Sequence, residues 1–236
     1  MKRTFHVVLM FALIGCSQTG NSNTATAQTD SATTVATETT ATEAEPMTSA
    51  APPAAEEKKP MSAYENKVAE LHTTSGQIDI KFYPDVAPSH VQNFIDLSEK
   101  GFYNGTKFHR VIPGFMIQGG DPNTIKGDPR TWGTGGNGQN YVKAEFSSIP
   151  HKRGIVSMAR ATDPNSASSQ FFIVVADSDF LNKNYSVFGQ VTKGMDVADK
   201  IVNAQTGPGD RPLEPTTITK VVVRDATAEE KAQGRQ

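Results

Sequence analysis

The chain has 236 residues, with 23 Lys and Arg against 25 Asp and Glu and a formal net charge of −2. That balance excludes a nucleic-acid partner, which needs a strongly basic face. A single cysteine excludes a disulfide framework.

Lys2 and Arg3 followed by the apolar run Phe5 to Ile14 read as a signal peptide over residues 1–15. The run is too short to span a bilayer, which takes about 20 residues, and no later segment comes close. Its end, "LIGC" at Leu13 to Cys16, resembles the lipobox of bacterial lipoproteins. That resemblance implies lipidation of Cys16, which becomes the mature N-terminus; the bland alternative is an incidental thiol. More than one acyl chain is what stable anchoring requires. Ser17 is not the aspartate that retains such proteins in the inner membrane. The expected location is therefore the bacterial cell envelope, lipid-anchored at the outer membrane and facing the periplasm.

Residues 17–60 hold 11 Thr, 10 Ala, 4 Ser and four prolines, with no aromatic residue. Such a stretch cannot bury enough apolar surface to offset its chain entropy. Residues 16–61 are thus expected to be a lipidated cysteine plus a disordered tether, with an end-to-end distance of roughly 35–40 Å. Six acidic and two basic residues leave 17–60 at −4, so the stretch should not cling to anionic lipid. Residues 62–225 form one domain's worth of chain, and 226–236 read as a polar tail.

In the folded part, "KVAELHT", a "TSG" turn and "QIDIKF" read as a hairpin. Ile78, Ile80 and Phe82 alternate with Gln77, Asp79 and Lys81, the pattern of a half-buried strand. From Pro88 the period turns helical, with Val91, Phe94, Ile95 and Ser98 on one side and Gly101 as a stop. Strands are expected at 107–112, 115–119, 154–159, 170–175, 186–192 and 217–223. A second helix over 195–203 buries Val197, Ala198, Ile201 and Val202. Many short strands with Gly- and Pro-rich turns and two helices predict a mainly β fold, a barrel or a sandwich, with a barrel whose ends the two helices plug as the preferred version.

No nucleophile elbow, P-loop, zinc motif or C-x-x-C is present. "WGTGGNGQ" at 132–139 precedes no helix and reads as a flexible loop. The five histidines, at 6, 72, 90, 109 and 151, lack ligand spacing, and His109 reads as a hydrogen-bonded structural residue. Neither a cofactor nor a metal is expected. What remains odd is "FHRVIPGFMIQGGD", Phe108 to Asp121, with a permanent charge, Arg110, inside an apolar run. An unpaired buried guanidinium is costly, so Arg110 needs a partner or an open site.

That segment is followed in order by "GIVSMARATDPNSASSQFFI" at 154–173 and "DFLNKNYSVFGQV" at 179–191. Together with "APSHVQNFIDLSEKGFYNGTKFHR" and "VTKGMDVADKI", these segments resemble the cyclophilin-type peptidyl-prolyl cis-trans isomerases over roughly Tyr64 to Val223. The resemblance implies a closed eight-stranded antiparallel β-barrel capped by two α-helices. It also implies acceleration of rotation about Xaa-Pro bonds in unfolded or partly folded proteins. Arg110 and Gln118 fall at the catalytic positions. Phe115, Met116, Ala159, Arg160, Gln170, Phe172, Phe180, Leu181 and Tyr185 fall at the substrate-binding ones.

By pattern alone, Phe115, Met116 and Phe172 would be core. Alternation in "SQFFI" nonetheless puts Gln170 and Phe172 on one side and sends Phe171 and Ile173 to the other. Gln118 and Gln170 are expected to bond Arg110 or substrate backbone. Phe180 stands where well-known members carry tryptophan, so cyclosporin binding should be weak. Tyr185 stands where they carry histidine, and Arg160 where they carry asparagine. The rival readings are a non-catalytic module that binds proline peptides and a structural envelope protein.

Overall fold

The computed structural model describes residues 61–138 and 140–235. The signal peptide, Cys16 and the tether up to residue 60 lie outside them. In chain order the strands are β1 (Lys67–Thr73), β2 (Gly76–Phe82), β3 (Arg110–Ile112), β4 (Met116–Gly119), β5 (Ile155–Met158), β6 (Phe171–Val174), β7 (Val187–Lys193), β8 (Thr206–Gly207), β9 (Arg211–Pro212) and β10 (Ile218–Asp225). The helices are α1 (Pro88–Glu99), α2 (Asn123–Lys126), α3 (Met195–Val202) and α4 (Ala228–Ala232).

Eight strands form one antiparallel sheet in the order β10-β1-β2-β7-β5-β6-β4-β3, and β8 and β9 make a separate hairpin. The expectation of a closed barrel is corrected. The sheet curls, but its edge strands β3 and β10 share no ladder. They meet through an isolated bridge between Lys107 and Thr217, supported by Phe108 N–H donating to Thr216 O at 3.0 Å and Ile218 N–H to Thr106 O at 2.7 Å. The reason is local. Strand β3 has only three residues, and the Val111 N–H on its open edge is taken by Asp210 O at 2.9 Å, in the turn between β8 and β9.

The predicted alternation in β2 holds for Ile78, Ile80 and Phe82, all buried in the main core. Asp79, expected on the polar face, is buried as well at 3% exposure. It lies 3.4 Å from Arg224 of β10 and accepts from Gln77 Nε2 at 2.7 Å. A carboxylate is tolerated there because its charge and lone pairs are met.

Helix α1 begins with Pro88 in its first turn and no side-chain cap of its own. A distant carboxylate substitutes: Glu145 accepts from the Ser89 and His90 N–H groups, both at 3.1 Å. Both are among the orphan donors of a helix N-terminus. At the other end Gly101 turns left-handed (φ 70°), and Phe102 N–H reaches back to Leu97 O at 2.9 Å, a glycine stop of the usual kind. The face Val91, Phe94, Ile95 and Ser98 is buried as predicted.

Phe94 sits at the centre of an aromatic cluster. Its ring centroid is 4.8 Å from Tyr103, 5.3 Å from Phe171, 5.4 Å from Phe188 and 5.6 Å from Phe82. Full burial of one such side chain contributes roughly 1.5–3 kcal/mol. Helix α3 buries Val197, Ala198, Ile201 and Val202, also as predicted.

The segment after β10 is not a bare tail. Thr227 and Glu230 close a capping box that starts α4. Lys81 Nζ then donates to the carbonyls of Glu230, Lys231 and Gln233 at 2.7, 3.2 and 2.8 Å. Among the described residues no helix is long and apolar enough to cross a membrane.

Candidate active site

Register places the suspicious arginine. Arg110 on β3 lies opposite Gln118 on β4, Gln118 opposite Phe172 on β6, and Phe172 opposite Ser157 on β5. Directly paired residues in an antiparallel sheet point to the same face, so these four form a row across the sheet. The intervening residues Val111, Ile117, Phe171 and Ile173 turn into the main core. Phe172 and Met116 belong instead to a second apolar cluster with Tyr83, Ile155, Val174, Leu181 and Val187. The alternation read in "SQFFI" is thus realised: Phe171 and Ile173 face inward, and Phe172 faces the site.

On that face lies a small cavity of about 120 Å³, lined by Arg110, Phe115, Met116, Gln118, Ala159, Arg160, Phe172, Leu181 and Tyr185. Of the eleven residues assigned to the site from sequence, only Gln170 and Phe180 are missing from its wall. Gln170 stands one step away, in a neighbouring groove of about 420 Å³ that shares Gln118, Ala159 and Arg160 with the cavity. Phe180 sits at the rim, 70% exposed, its ring 5.1 Å from that of Phe115.

The two glutamines do not bond to Arg110, as one sequence expectation had it. Gln118 Nε2 donates to Gln170 Oε1 at 2.8 Å. Gln170 Nε2 in turn donates to the carbonyls of Gly133 and Gly135 at 3.0 and 2.8 Å. Asp121 holds the same loop, accepting from Gly133 N–H at 2.5 Å and Gly135 N–H at 3.3 Å. The glycine-rich stretch, expected to be a flexible loop, is pinned here, and it orients both glutamines. Gly120 is required at the end of β4: its φ is +84°, and a Cβ there would lie 2.5 Å from Ser169 O.

Arg110 does have a partner, on a strand pair the sequence reading left unassigned. Its Nε lies 3.4 Å from Asp210 Oδ2, and the two side chains are 41% and 49% exposed. Arg160 is bound up in the loop that carries it. It donates to Ala161 O at 2.9 Å and Thr162 O at 3.1 Å, and to Asn184 O at 3.3 and 3.2 Å. Its guanidinium lies 4.8 Å from the centre of the Tyr185 ring, a cation–π contact. The two departures noted separately in sequence therefore touch each other.

Tyr185 meets Phe172 edge-on at 5.6 Å, and His151 stacks against Phe172 at 6.2 Å. His151 is fixed by Ser157 Oγ at 3.0 Å and Asn182 Oδ1 at 3.2 Å. Burial pushes its basicity down, partly offset by Asn182. This support went unseen because a lone histidine carries no spacing signal.

His109, beside Arg110, is buried, and among the described residues neither ring nitrogen meets a partner at full hydrogen-bond geometry. Its pKa is lowered chiefly by burial, against the pull of Asp121 and of the Lys107 backbone and Gln170 side chain, which lie near enough to raise it.

A family model for cyclophilin type peptidyl-prolyl cis-trans isomerases matches residues 68–223. The chain belongs to the cyclophilin-type isomerases. It is 44% identical over 161 residues to a probable peptidyl-prolyl cis-trans isomerase of Brucella abortus, covering 66% of this cyclophilin and 82% of that relative. A peptidyl-prolyl cis-trans isomerase of Arabidopsis thaliana is 43% identical over 155 residues, covering 65% and 93%. Among solved structures, a Cryptosporidium parvum cyclophilin crystallised in the presence of the dipeptide Ala-Pro matches with a TM-score of 0.61. That match has 31% identity and covers 67% of this chain and 99% of the other. The cyclophilin described here is an enzyme that accelerates cis-trans isomerisation of peptidyl-prolyl bonds.

Proposed function

We propose that this cyclophilin turns over Xaa-Pro bonds of cell-envelope proteins from a lipid anchor on Cys16, with Arg110 as the donor that lowers the barrier. The observation that carries the reading is the shared cavity of Arg110, Phe115, Met116, Gln118, Phe172 and Leu181. Isomerisation breaks no covalent bond. Its barrier, about 18–20 kcal/mol, comes from amide resonance. As the bond twists, the proline nitrogen becomes pyramidal and gains a lone pair. A donor that meets only this twisted form stabilises the transition state selectively.

A guanidinium stays charged and offers several N–H groups. One charge-assisted bond is worth about 1.5–3 kcal/mol, roughly ten- to a hundredfold in rate. The apolar floor supplies the rest by desolvation, since water favours the charge-separated resonance form. Gln118, whose amide N–H is engaged by Gln170, keeps its carbonyl oxygen for a substrate N–H. Ala159 and Arg160 offer backbone, with the Arg160–Tyr185 contact closing that wall. Phe180, lacking the indole of drug-sensitive relatives, leaves cyclosporin weakly held.

The Ala-Pro dipeptide named with the Cryptosporidium structure supports proline-containing peptides as substrates. The Thr- and Ala-rich stretch of 17–60 supports a tether that carries the domain clear of an outer-membrane surface facing the periplasm. The rival is a module that binds proline peptides as a chaperone without turnover. The test is an Xaa-Pro isomerisation assay on the full chain: acceleration supports the enzyme, and binding without acceleration the rival. For the anchor, the mature protein's mass decides, and a chain that starts at Ser17 without acyl groups would end that proposal.

A further inference from the structure

Arg110 occupies the first position of a three-residue edge strand, half-exposed, on a long side chain with many rotamers. A donor that must meet a transient lone pair gains little unless its plane is already fixed, because ordering it during the reaction costs entropy. No hydrogen bond from Gln118 or Gln170 fixes it, since those two bond each other and the glycine loop.

We propose that Asp210, presented by the β8–β9 turn, is a positioning residue that holds the Arg110 guanidinium by its Nε edge and aims the two terminal nitrogens at the proline site. The proposal rests on Arg110 being the donor. Three observations carry it. The carboxylate's nearest approach to the guanidinium is at Nε, 3.4 Å away. The turn is tied to the arginine's own strand by Val111 N–H donating to Asp210 O at 2.9 Å, so carboxylate and guanidinium are registered through backbone. Asp210 also sits at φ 57°, a left-handed conformation uncommon for non-glycine residues, so turn geometry alone would favour glycine.

The neighbouring cations are occupied elsewhere. Arg211 lies 5.5 Å and Lys107 5.7 Å from the Trp132 ring centre. Among the described residues, the ion pair of Asp210 is with Arg110 alone.

The experiment compares Asp210→Gly and Asp210→Asn in the full chain. Glycine takes the left-handed conformation freely, so the turn survives while the carboxylate goes. Asparagine also tolerates it and restores a neutral acceptor. The expected result for Asp210→Gly is a kcat about three- to fivefold lower with KM unchanged. That is ~0.6–1 kcal/mol at 1.36 kcal/mol per decade, within the range for an exposed ion pair. Asp210→Asn should recover part of the loss.

In an Arg110→Ala background, Asp210→Gly should have no further effect. Wild-type kcat in Asp210→Gly overturns the proposal, as does an equal loss in the Arg110→Ala background. Intact kcat in Arg110→Ala would instead sink the donor reading itself. The Arg110 Nε–H resonance gives a second, independent readout. Its exchange with water should quicken in Asp210→Gly, and an unchanged rate overturns the proposal.

Discussion

Two arginines on opposite edges of one sheet are used in contrasting ways. Arg224 on β10 is saturated: Nε meets Glu70 at 2.5 Å, and Nη1 and Nη2 meet Glu230 at 2.7 and 2.8 Å. The almost fully buried Asp79 adds a contact at 3.4 Å. The pKa of Arg224 is raised well above the ordinary value, first by Glu230 and then by Glu70. Arg110 on β3 meets one carboxylate at 3.4 Å and opens onto a cavity that Phe115, Met116, Phe172 and Leu181 help to wall. A guanidinium has five N–H donors. Where acceptors in the chain consume most of them it serves stability, and where most are spare it can serve a ligand.

The sharpest way to break this contrast is to truncate both. Arg110→Ala should lower kcat/KM by about ten- to a hundredfold while leaving the melting temperature nearly unmoved, measured by an isomerisation assay beside thermal unfolding. Arg224→Ala should do the reverse. Asp79 and Glu230 would be left without their cation. Because the cluster is only partly buried, the loss is about 2 kcal/mol, below that of a fully buried pair. For a domain of this size that is a fall of roughly 4–8 °C with kcat/KM intact. A large activity loss in Arg224→Ala, or unfolding of Arg110→Ala, would erase the distinction.

Acid sharpens the same point. Glu230 is held at about 2, below its ordinary 4.5, mainly by its bonds to Arg224. A carboxyl group depressed in the folded state stabilises fully above its unfolded pKa and loses that effect as pH falls through the folded one. The difference in melting temperature between wild type and Arg224→Ala should therefore hold above about pH 4.5 and shrink toward pH 2. A difference constant across that range would show that Arg224 stabilises by packing. The smallest effect expected is from Lys81→Met. Losing the three carbonyl contacts that strap down residues 230–233 should cost about 1 kcal/mol. It would be seen as faster protease clipping after Asp225 with activity unchanged.

Local periodicity carried far in the sequence. Ile78, Ile80 and Phe82 alternate, Val91, Phe94 and Ile95 recur at helical spacing, and all are buried where expected. Strand alternation separates Phe172 from Phe171 on β6, but Phe115, Met116 and Phe172 read as core by pattern, and only the family resemblance set them at a site. What stayed hidden depends on partners distant in sequence. Asp79 is buried because Arg224, 145 positions later, reaches it. Asp210 sits in the turn between two two-residue strands without an apolar pattern, 100 positions beyond Arg110. The Gln118–Gln170 bond depends on a loop whose glycines carry no side chains to read. Helix α4 is a different kind of miss. Thr227 and Glu230 form the capping-box signature, so the signal was present in the residues.

The short meeting of β3 and β10 has a mechanical consequence. Strands laddered along their whole length open only with their neighbours, whereas a joint held by a few backbone bonds can loosen by itself. The joint at Lys107 and Thr217 lies three residues from Arg110, while the Phe94 cluster is locked on the far side of the sheet. That joint is thus close to the substrate cavity, while Arg110 itself stays registered to Asp210 through the Val111 N–H bond to Asp210 O. Small displacements of β3 can then accompany rotation of the bound peptide while the aromatic interior stays at rest.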